Sequence, residues 1–377
     1  NLYTHETLTI ISAVFADDVG GAFKNEIKSE YLAMRAAYGK LIKIDCVAAD
    51  VVVPVTKFTG VNIARDRAAG TVSISMGTYI RKLRDRRPGV AARDMPTGKS
   101  KAARAAFENM VRGTEDKMID RTTYLEALGE VAWPAAMAFP ELVFYTSSLG
   151  QYSQHPQQEH LDAVLYAMGY LFSDPDRAIT YGGALRVPFG LTEMPPFFVQ
   201  SRGFYTATDS SWGTKPRPHG GHAVFRCNAA IHWSSRQLKV VCDSSAHAET
   251  AEASRAVKSS QFLTMALSGV RRPVEGPHPM LGDSSAMHDL VTKEGSSSRS
   301  RHFERATVLI KYAVLKLMVV CYLIGTKFMS ADVFTKATDE WTFKTMRAVL
   351  RNEPRGDAFG LKALGWMATA TRLWRRR

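Results

Sequence analysis

The stretch Phe-Tyr-Thr-Ala-Thr-Asp-Ser-Ser-Trp at residues 204–212 decides the fold of the C-terminal half of the chain. Its first five residues, Phe204–Thr208, combine aromatic and β-branched side chains, a composition typical of β-strands. Asp209 follows directly. Asp243 or Ser244 is the predicted N-cap of a later helix that begins at Ser245. Strands followed by alternating helices and strands predict an α/β domain on a mixed sheet. The next candidates are strands at Ala223–Arg226 and Ala230–Trp233 and a helix at Ser245–Leu267.

Three other acids occupy settings comparable to that of Asp209. Glu249 lies in the first turns of the long helical pattern, Asp283 ends a short apolar run and opens a helix, and Asp332 begins a late helical stretch. Carboxylates so far apart in the sequence can meet only through a folded sheet. If they meet, they can hold two divalent ions for phosphodiester hydrolysis.

Length, charge and cysteine content bound the class of protein. The chain has 377 residues, enough for two or three domains, and a net charge of +13 that indicates a polyanionic partner such as nucleic acid. The alternative is a surface that is merely basic. Four scattered cysteines form no CxxC pair, so we expect a reducing compartment without disulfides. The longest apolar stretch, Val308–Ile324, contains Lys311 and Lys316 and predicts no membrane span.

The N-terminal half predicts mixed α/β structure followed by mostly helical structure, from Ala102 to about Phe172, with short interruptions at Pro134, Pro140 and Pro156. Pro195-Pro196 marks the boundary to the next domain. The first 80 residues predict a helix at Lys24–Gly39 and strands at Leu8–Phe15, Leu41–Cys46, Phe58–Ile63 and Thr71–Ser75.

Residues 81–104 carry nine Lys or Arg against two Asp and contain Pro and Gly, which predicts a linker or domain edge. Either the segment is a solvated charge run or it contacts phosphates, and we favour the second because the charges cluster where two domains would join. Residues 351–377 carry seven Lys or Arg and predict a nucleic-acid arm or a disordered end. The candidate nucleic-acid contacts are Arg81, Lys82, Arg84, Arg86, Arg87, Arg236 and Gln237.

Six short motifs in a fixed order resemble those of copia-type retrotransposon polyproteins. Any one of them is a weak match, but the ordered set is specific. In this chain they are Asp209-Ser210-Ser211-Trp212 (Asp-Ala-Asp-Trp in the family), Trp233-Ser234-Ser235-Arg236-Gln237 (Trp-Ser-Ser-x-Gln), Ser244-Ser245-Ala246-His247-Ala248-Glu249 (Ser-Ser-Thr-Glu-Ala-Glu), Gly282-Asp283-Ser284-Ser285-Ala286 (Cys-Asp-Asn-x-Ser-Ala), Ser300-Arg301-His302-Phe303 (Thr-Lys-His-Ile) and Ala331-Asp332-Val333-Phe334-Thr335-Lys336 (Ala-Asp-x-x-Thr-Lys).

Upstream, Phe15-Ala16-Asp17-Asp18 resembles the Tyr-Val-Asp-Asp turn of a reverse transcriptase palm, and Ser153 to Leu171 resembles the segment that joins polymerase to nuclease. The resemblance implies three segments, which are a partial palm (1–90), a mostly helical thumb and connection (91–196) and a ribonuclease H-like domain (197–350). Residues 351–377 form a basic tail beyond the resemblance.

The resemblance implies cleavage of the RNA strand of RNA–DNA hybrids, with two Mg²⁺ ions (or Mn²⁺) held by Asp209, Glu249, Asp283 and Asp332. It also implies RNA template and DNA as partners, a polyprotein that includes integrase and protease, and a location in a cytoplasmic virus-like particle or the nucleus.

Several residues have alternative interpretations. Asp283 also suits a helix N-cap. Glu252, one turn beyond Glu249, is a rival ligand that we interpret as a surface acid, and we interpret Asp289 and Asp339 as solvated. His247 replaces an acid of the family motif, and a histidine at a helix start is more often surface than ligand.

The polymerase and the whole-chain function each have a competing hypothesis. Asp17 and Asp18 would supply two palm carboxylates, but the third would lie on a strand before Asn1, so we expect no DNA synthesis by residues 1–377. The alternatives to an active nuclease are a catalytically dead remnant that still binds nucleic acid and a domain adopted by a host gene. Retention of all four acids favours the enzyme.

Overall fold

The computed structural model describes residues 2–4, 10–15, 18–23, 27–41, 55–213, 217–293 and 303–353. Within these ranges the chain forms three sheets and ten α-helices, so the predicted α/β class is confirmed. No helix among the described residues combines the length and hydropathy of a membrane span.

The first sheet is a small antiparallel one at the N-terminus. Strands β2 and β3 pair around the predicted acidic turn, with Phe15 opposite Asp18. Asp17 lies outside the described residues, and of Asp18 only the backbone, at the start of β3, is described. The elements are β1 (Leu2–Thr4), β2 (Ile10–Phe15), β3 (Asp18–Phe23) and the following helix α1 (Lys28–Leu41). The predicted strand Leu41–Cys46 lies outside the described residues except for Leu41, which ends α1.

The second sheet has four antiparallel strands, β4 (Lys57–Phe58), β5 (Val61–Asp66), β6 (Thr71–Ser75) and β7 (Ala178–Gly182), in that order. The predicted single strand Phe58–Ile63 is wrong, because a tight turn divides it into β4 and β5. Thr59 and Gly60 both have positive φ, 47° and 80°, the conformation that two-residue hairpin turns require.

Between β6 and β7 the chain is mostly helical, as predicted from Ala102 onward, but the predicted linker at 81–104 is wrong for residues 81–86, which lie in a helix at Gly77–Arg86. The helices are α2 (Gly77–Arg86), α3 (Lys101–Glu108), α4 (Arg121–Met137), α5 (Val143–Gly150) and α6 (Gln158–Ser173).

Helix α4 continues through Pro134, so the predicted interruption there is wrong. Proline has no N–H and leaves the carbonyl four residues earlier without its helical donor. That carbonyl belongs to Glu130, and the Tyr79 hydroxyl donates to it at 3.2 Å. A tertiary hydrogen bond therefore replaces the missing helical one.

The third sheet has five strands in the order β10-β9-β8-β11-β12. Strands β8, β9 and β10 are antiparallel, whereas β11 runs parallel to both β8 and β12. The sheet is mixed, as the sequence predicts. Its strands are β8 (Tyr205–Ser211), β9 (His219–Arg226), β10 (Ala229–Gln237), β11 (His278–Gly282) and β12 (Val319–Leu323), and its helices are α7 (Ser245–Gly269), α8 (Ser285–Thr292), α9 (Glu304–Leu315) and α10 (Glu340–Arg351).

One hydrophobic core joins the helical region to the third sheet. Ile80 and Phe139 belong to the same buried cluster as Phe225 and Phe343, although the predicted domain boundary lies between them at 196/197. The indole N–H of Trp233 on β10 donates to the Ala135 carbonyl of α4 at 3.0 Å. The two regions therefore pack as neighbours through apolar contact, and the boundary itself stays a prediction.

Arg351 ends α10 inside the core rather than beginning an exposed arm. It is fully buried, and its Nε atom donates to the two carboxylate oxygens of Glu141 at 3.0 and 3.1 Å. Burial opposes ionisation of Glu141, but Arg351 outweighs it and keeps the pKa of this carboxyl below its usual value. The pair ties the last described helix to the helical region.

We expect Glu141→Gln to lower the free energy of unfolding by about 3–5 kcal/mol, because it leaves the buried Arg351 charge uncompensated. Denaturant unfolding followed by circular dichroism measures the loss. The matched control is Glu340→Gln, which removes a partly exposed acid paired with Lys344 on the same helix and with Lys99, and should leave stability nearly unchanged. Equal effects of the two substitutions would contradict a structural role for the Glu141–Arg351 pair.

Candidate metal centre

Two of the predicted acids lie side by side because of the parallel pairing of β8 with β11. Leu281 lies opposite Ala207 in that register. Two residues further along, Asp209 lies near the end of β8, and Asp283 directly follows Gly282, the last residue of β11. The carboxyl ends of parallel strands share one edge of a sheet, so both carboxylates project from the same edge.

The third acid, Glu249, comes from α7. This helix begins at Ser245 because the Ser244 hydroxyl accepts a hydrogen bond from the backbone N–H of His247, which satisfies one of the free donors of the first turn. Of the two predicted N-caps, Ser244 is the one used. Glu249 is 7% exposed, and the backbone of Ser210 on β8 hydrogen-bonds its carboxyl group. The first two turns of α7 therefore place this carboxylate beside the end of β8.

Asp209, Glu249 and Asp283 form a compact group of oxygen ligands. Each offers one carboxylate oxygen, and these oxygens all lie within 4.8 Å of one another. Carboxylate oxygens at such spacing suit a hard divalent cation such as Mg²⁺. This triad could hold a metal ion.

The fourth predicted ligand, Asp332, adjoins the triad but does not join it at that mutual distance. It lies in a short 3₁₀ helix, Ser330–Phe334, that follows β12. Its side chain interacts with Asp209, and its Oδ1 atom is 2.8 Å from the Nζ atom of Lys336. Asp332 is therefore at the site, but a lysine already neutralises it.

The 3₁₀ helix reaches Asp209 because β9 has glycine at the point of contact. Gly221 lies opposite Asp209, and a Cβ atom on it would come within 2.2 Å of the Phe334 Cβ. The close approach lets the Thr335 hydroxyl donate to Asp209 Oδ2 and to the Asp332 carbonyl. Thr335 thus orients the central acid of the site.

Burial and mutual repulsion shift the acids towards their neutral forms. Desolvation, together with Asp209 and Asp283, raises the pKa of Glu249 to about 10. Desolvation and Asp209 also raise the pKa of Asp283 and bring that of Asp332 to about 7, against the opposing effect of Lys336. When all four acids are ionised, their negative charge exceeds the positive charge that Lys336 supplies.

Glu252 is not a surface acid, and that interpretation is wrong. Its carboxylate is fully buried, 2.7 Å from His222 Nδ1 and hydrogen-bonded by Arg255. The other nitrogen of His222 is 2.9 Å from the Ser259 hydroxyl. Glu252 lies three residues after Glu249 on the helix, so both side chains face the sheet. Its contact with His222 anchors α7 to β9.

His247 is also buried, contrary to the expectation of a surface position. Its Nδ1 atom is 3.1 Å from the Asp243 carboxylate, and its ring stacks on Phe303 at 4.8 Å. It is not one of the three clustered ligands. Asp289 is an exposed partner of Lys293, and Asp339 caps α10 by accepting from the Thr342 N–H.

The predicted nucleic-acid residues fall into two regions. Five of them lie on α2 or just after it, and three of these five form ion pairs with acids. Arg81 pairs with Asp176, and both Arg86 and Arg87 pair with Glu130. Lys82 and Arg84 are exposed on α2, Arg236 is exposed on β10, and Gln237 is half-buried and donates to the Arg217 carbonyl. Their contact with nucleic acid stays a prediction.

Sequence reasoning did not single out Thr335 and Lys336 as site residues. Both stand at the end of the motif that contains Asp332. A cation four residues after an acid often pairs with it on a helical turn, and that spacing could have pointed to Lys336.

Comparison with known proteins gives distant relatives of one kind. No protein-family model matches the chain. It is 21% identical over 298 residues to the retrovirus-related Pol polyprotein from transposon TNT 1-94 of Nicotiana tabacum, which covers 79% of this chain and 21% of that polyprotein. It is 23% identical over 190 residues to a transposon Ty5-1 protein of Saccharomyces cerevisiae, covering 50% and 55% of the two chains.

A third relative is the retrovirus-related Pol polyprotein from transposon RE1 of Arabidopsis thaliana, 21% identical over 287 residues and covering 75% of this chain and 18% of that one. This chain thus spans about a fifth of the TNT 1-94 polyprotein and about half of the Ty5-1 protein. The similarity confirms the resemblance that the motifs predict, and the chain is similar to the Pol polyproteins of copia-type retrotransposons.

Proposed function

We propose that residues 197–350 form a metal-dependent nuclease of the ribonuclease H type, which cleaves the RNA strand of RNA–DNA hybrids. The observation that supports it is the convergence of Asp209, Glu249 and Asp283, whose ligand oxygens lie within 4.8 Å of one another at the end of a mixed sheet. The order of the motifs and the similarity to Pol polyproteins support the choice of substrate. The expected lack of DNA synthesis by this chain remains a separate prediction, because Asp17 and the Asp18 side chain lie outside the described residues.

The donor set fits a divalent metal on two counts. All three ligands offer oxygen, as Mg²⁺ prefers. In addition, burial and then repulsion between the carboxylates raise the pKa values of Glu249 and Asp283, and a bound cation would remove that repulsion. When bound, the metal lowers the pKa of the attacking water and offsets charge on the phosphate.

The residues of the chain have separate roles in this proposal. Asp209, Glu249 and Asp283 hold the metal. Thr335 fixes the carboxylate of Asp209 through its hydroxyl, and Asp332 contributes a fourth carboxylate next to Asp209. The buried Glu252–His222 pair keeps α7, and with it Glu249, in place against β9.

The surface near the site offers contacts for a nucleic acid. Trp212 follows β8 three residues after Asp209, and its side chain is 48% exposed, while its indole N–H donates to the Cys242 carbonyl at 3.1 Å. A half-exposed and oriented aromatic ring can stack on a base or sugar. Arg236 lies near the C-terminal end of β10, where it is exposed and close to Arg255 of α7.

The decisive test is degradation of a labelled RNA–DNA hybrid by the full chain with Mg²⁺. We expect cleavage of the RNA strand, and a loss of at least about a hundredfold for Asp283→Asn, because the substitution removes a metal ligand and leaves the size of the side chain unchanged. Asp289→Asn is the matched control, since Asp289 is an exposed acid on the helix that follows Asp283. It should retain wild-type activity.

Hybrid binding, measured by fluorescence anisotropy, separates the enzyme from a catalytically dead remnant. The proposal expects wild type and Asp283→Asn to bind alike and only wild type to cleave. Equal binding with no cleavage by either protein would instead establish the remnant.

The raised carboxyl pKa values also predict how the metal-free protein responds to pH. In the unfolded chain these acids lose their protons near their ordinary pKa values. In the folded protein Asp332 keeps its proton up to about pH 7 and Glu249 up to about pH 10. The folded state then binds more protons, so its stability falls as pH rises above about 4.5. We expect Glu249→Gln to stabilise the protein by on the order of 2 kcal/mol at pH 8 in EDTA.

Thermal unfolding at several pH values measures this effect, with the exposed Glu304→Gln as a control that should change nothing. Saturating Mg²⁺ should raise the melting temperature of wild type and not that of Glu249→Gln. A stability that rises with pH in EDTA would count against carboxylate repulsion at the site.

A further inference from the structure

Lys336 contributes a positive charge within the group of acids. Its Nζ atom lies 2.8 Å from Asp332 Oδ1, and its side chain is 41% exposed, so the ammonium group sits between the acids and solvent. It favours the ionised forms of Glu249 and Asp283 as well as that of Asp332. Its charge also interacts with that of Asp209, so one lysine acts on all four predicted metal ligands.

The backbone fixes Lys336 in this position. The N–H groups of Thr335 and Lys336 both donate to the Asp332 carbonyl, at 3.1 and 3.3 Å, so the chain turns back on itself just after the 3₁₀ helix. The Thr335 side chain is 2% exposed and is tied to Asp209. The lysine side chain thus extends from a well-anchored turn towards Asp332.

The same contact distinguishes Asp332 from the three acids that cluster. Asp209, Glu249 and Asp283 have no lysine or arginine within ion-pair distance in the described part of the chain, whereas Asp332 has Lys336. A carboxylate oxygen that an ammonium group already contacts can bind a divalent ion only if that group moves away.

We propose that Lys336 occupies the place of a second metal ion at Asp332. The resting protein then binds one divalent ion, at Asp209, Glu249 and Asp283, and Lys336 supplies the remaining positive charge beside Asp332. This inference rests on the proposed metal-dependent nuclease and replaces its second ion with a side chain of the protein itself. Lys336 is a positioning residue, which acts through Asp332.

The test counts Mn²⁺ ions bound by the full chain, with isothermal titration calorimetry and electron paramagnetic resonance of free Mn²⁺. We expect one ion for wild type and two for Lys336→Met, because removal of the ammonium group frees Asp332 as a ligand. The double variant Asp332→Asn with Lys336→Met should return to one ion. Lys336→Arg keeps the charge and should also bind one.

Lys344→Met is the matched control. Lys344 pairs with Glu340 at 2.6 Å over the same four-residue spacing and is 43% exposed, close to the value for Lys336. It lies on α10, outside the group of acids, so this variant should bind one ion as wild type does. Circular dichroism of all variants checks that each remains folded.

Hybrid cleavage provides a second readout. The Mg²⁺ concentration for half-maximal cleavage should change by about tenfold in Lys336→Met and not in Lys344→Met, as expected for charged groups in direct contact.

The possible failures are distinguishable. Two ions in wild type, or one ion in both wild type and Lys336→Met, would overturn the role of Lys336 and leave the nuclease proposal intact. If neither wild type nor Lys336→Met binds Mn²⁺, while both remain folded, the metal centre itself is wrong and both proposals fall together.

Discussion

The parallel register between β8 and β11 is the constraint on which the site depends. It brings Asp283 and Asp209 to the same end of the sheet, where both side chains lose much of their hydration. Like charges in such a position repel each other, and burial of Glu249, together with this repulsion, raises its pKa to about 10. A one-residue shift of the register would turn Asp283 to the opposite face and relieve this repulsion. The structure instead retains an arrangement that costs stability in the absence of a cation, as expected of a binding site.

Polar groups under α7 and glycines in β9 hold that arrangement. A Cβ atom at Gly220 would lie 2.3 Å from the Glu252 carboxylate, and one at Gly221 would collide with Phe334. These adjacent glycines let a helix approach one face of β9 and the 3₁₀ helix approach the other. Glu252 and Arg255 then form a buried network with His222. Because a half-satisfied polar network is costly, this one favours a single position of α7.

Much of the fold could be predicted from the sequence, but the partners of its polar residues could not. Strand composition and helix caps placed β6 and α7 to within two residues, since these features are local. The four acids stood out through their motifs. By contrast, Glu252 resembles any exposed helix acid until the fold brings His222 against it, and Pro134 resembles a helix breaker until Tyr79 supplies the missing donor. Tertiary contacts made those differences, and no local pattern encodes them.

The position of Lys336 bears on how such a site can work with fewer metal ions than acids. Two divalent ions would bring more positive charge than the four carboxylates can balance once the lysine is included. One ion and one ammonium group leave a single negative charge unbalanced, an imbalance of the same size and of opposite sign. An ammonium group also differs from a metal ion because it is covalently attached, so its local concentration does not depend on the solution. Lys336 needs only to rotate its side chain to yield Asp332, whereas its backbone stays fixed by the bonds to the Asp332 carbonyl. The 3₁₀ helix therefore carries both the fourth acid and the cation that controls access to it.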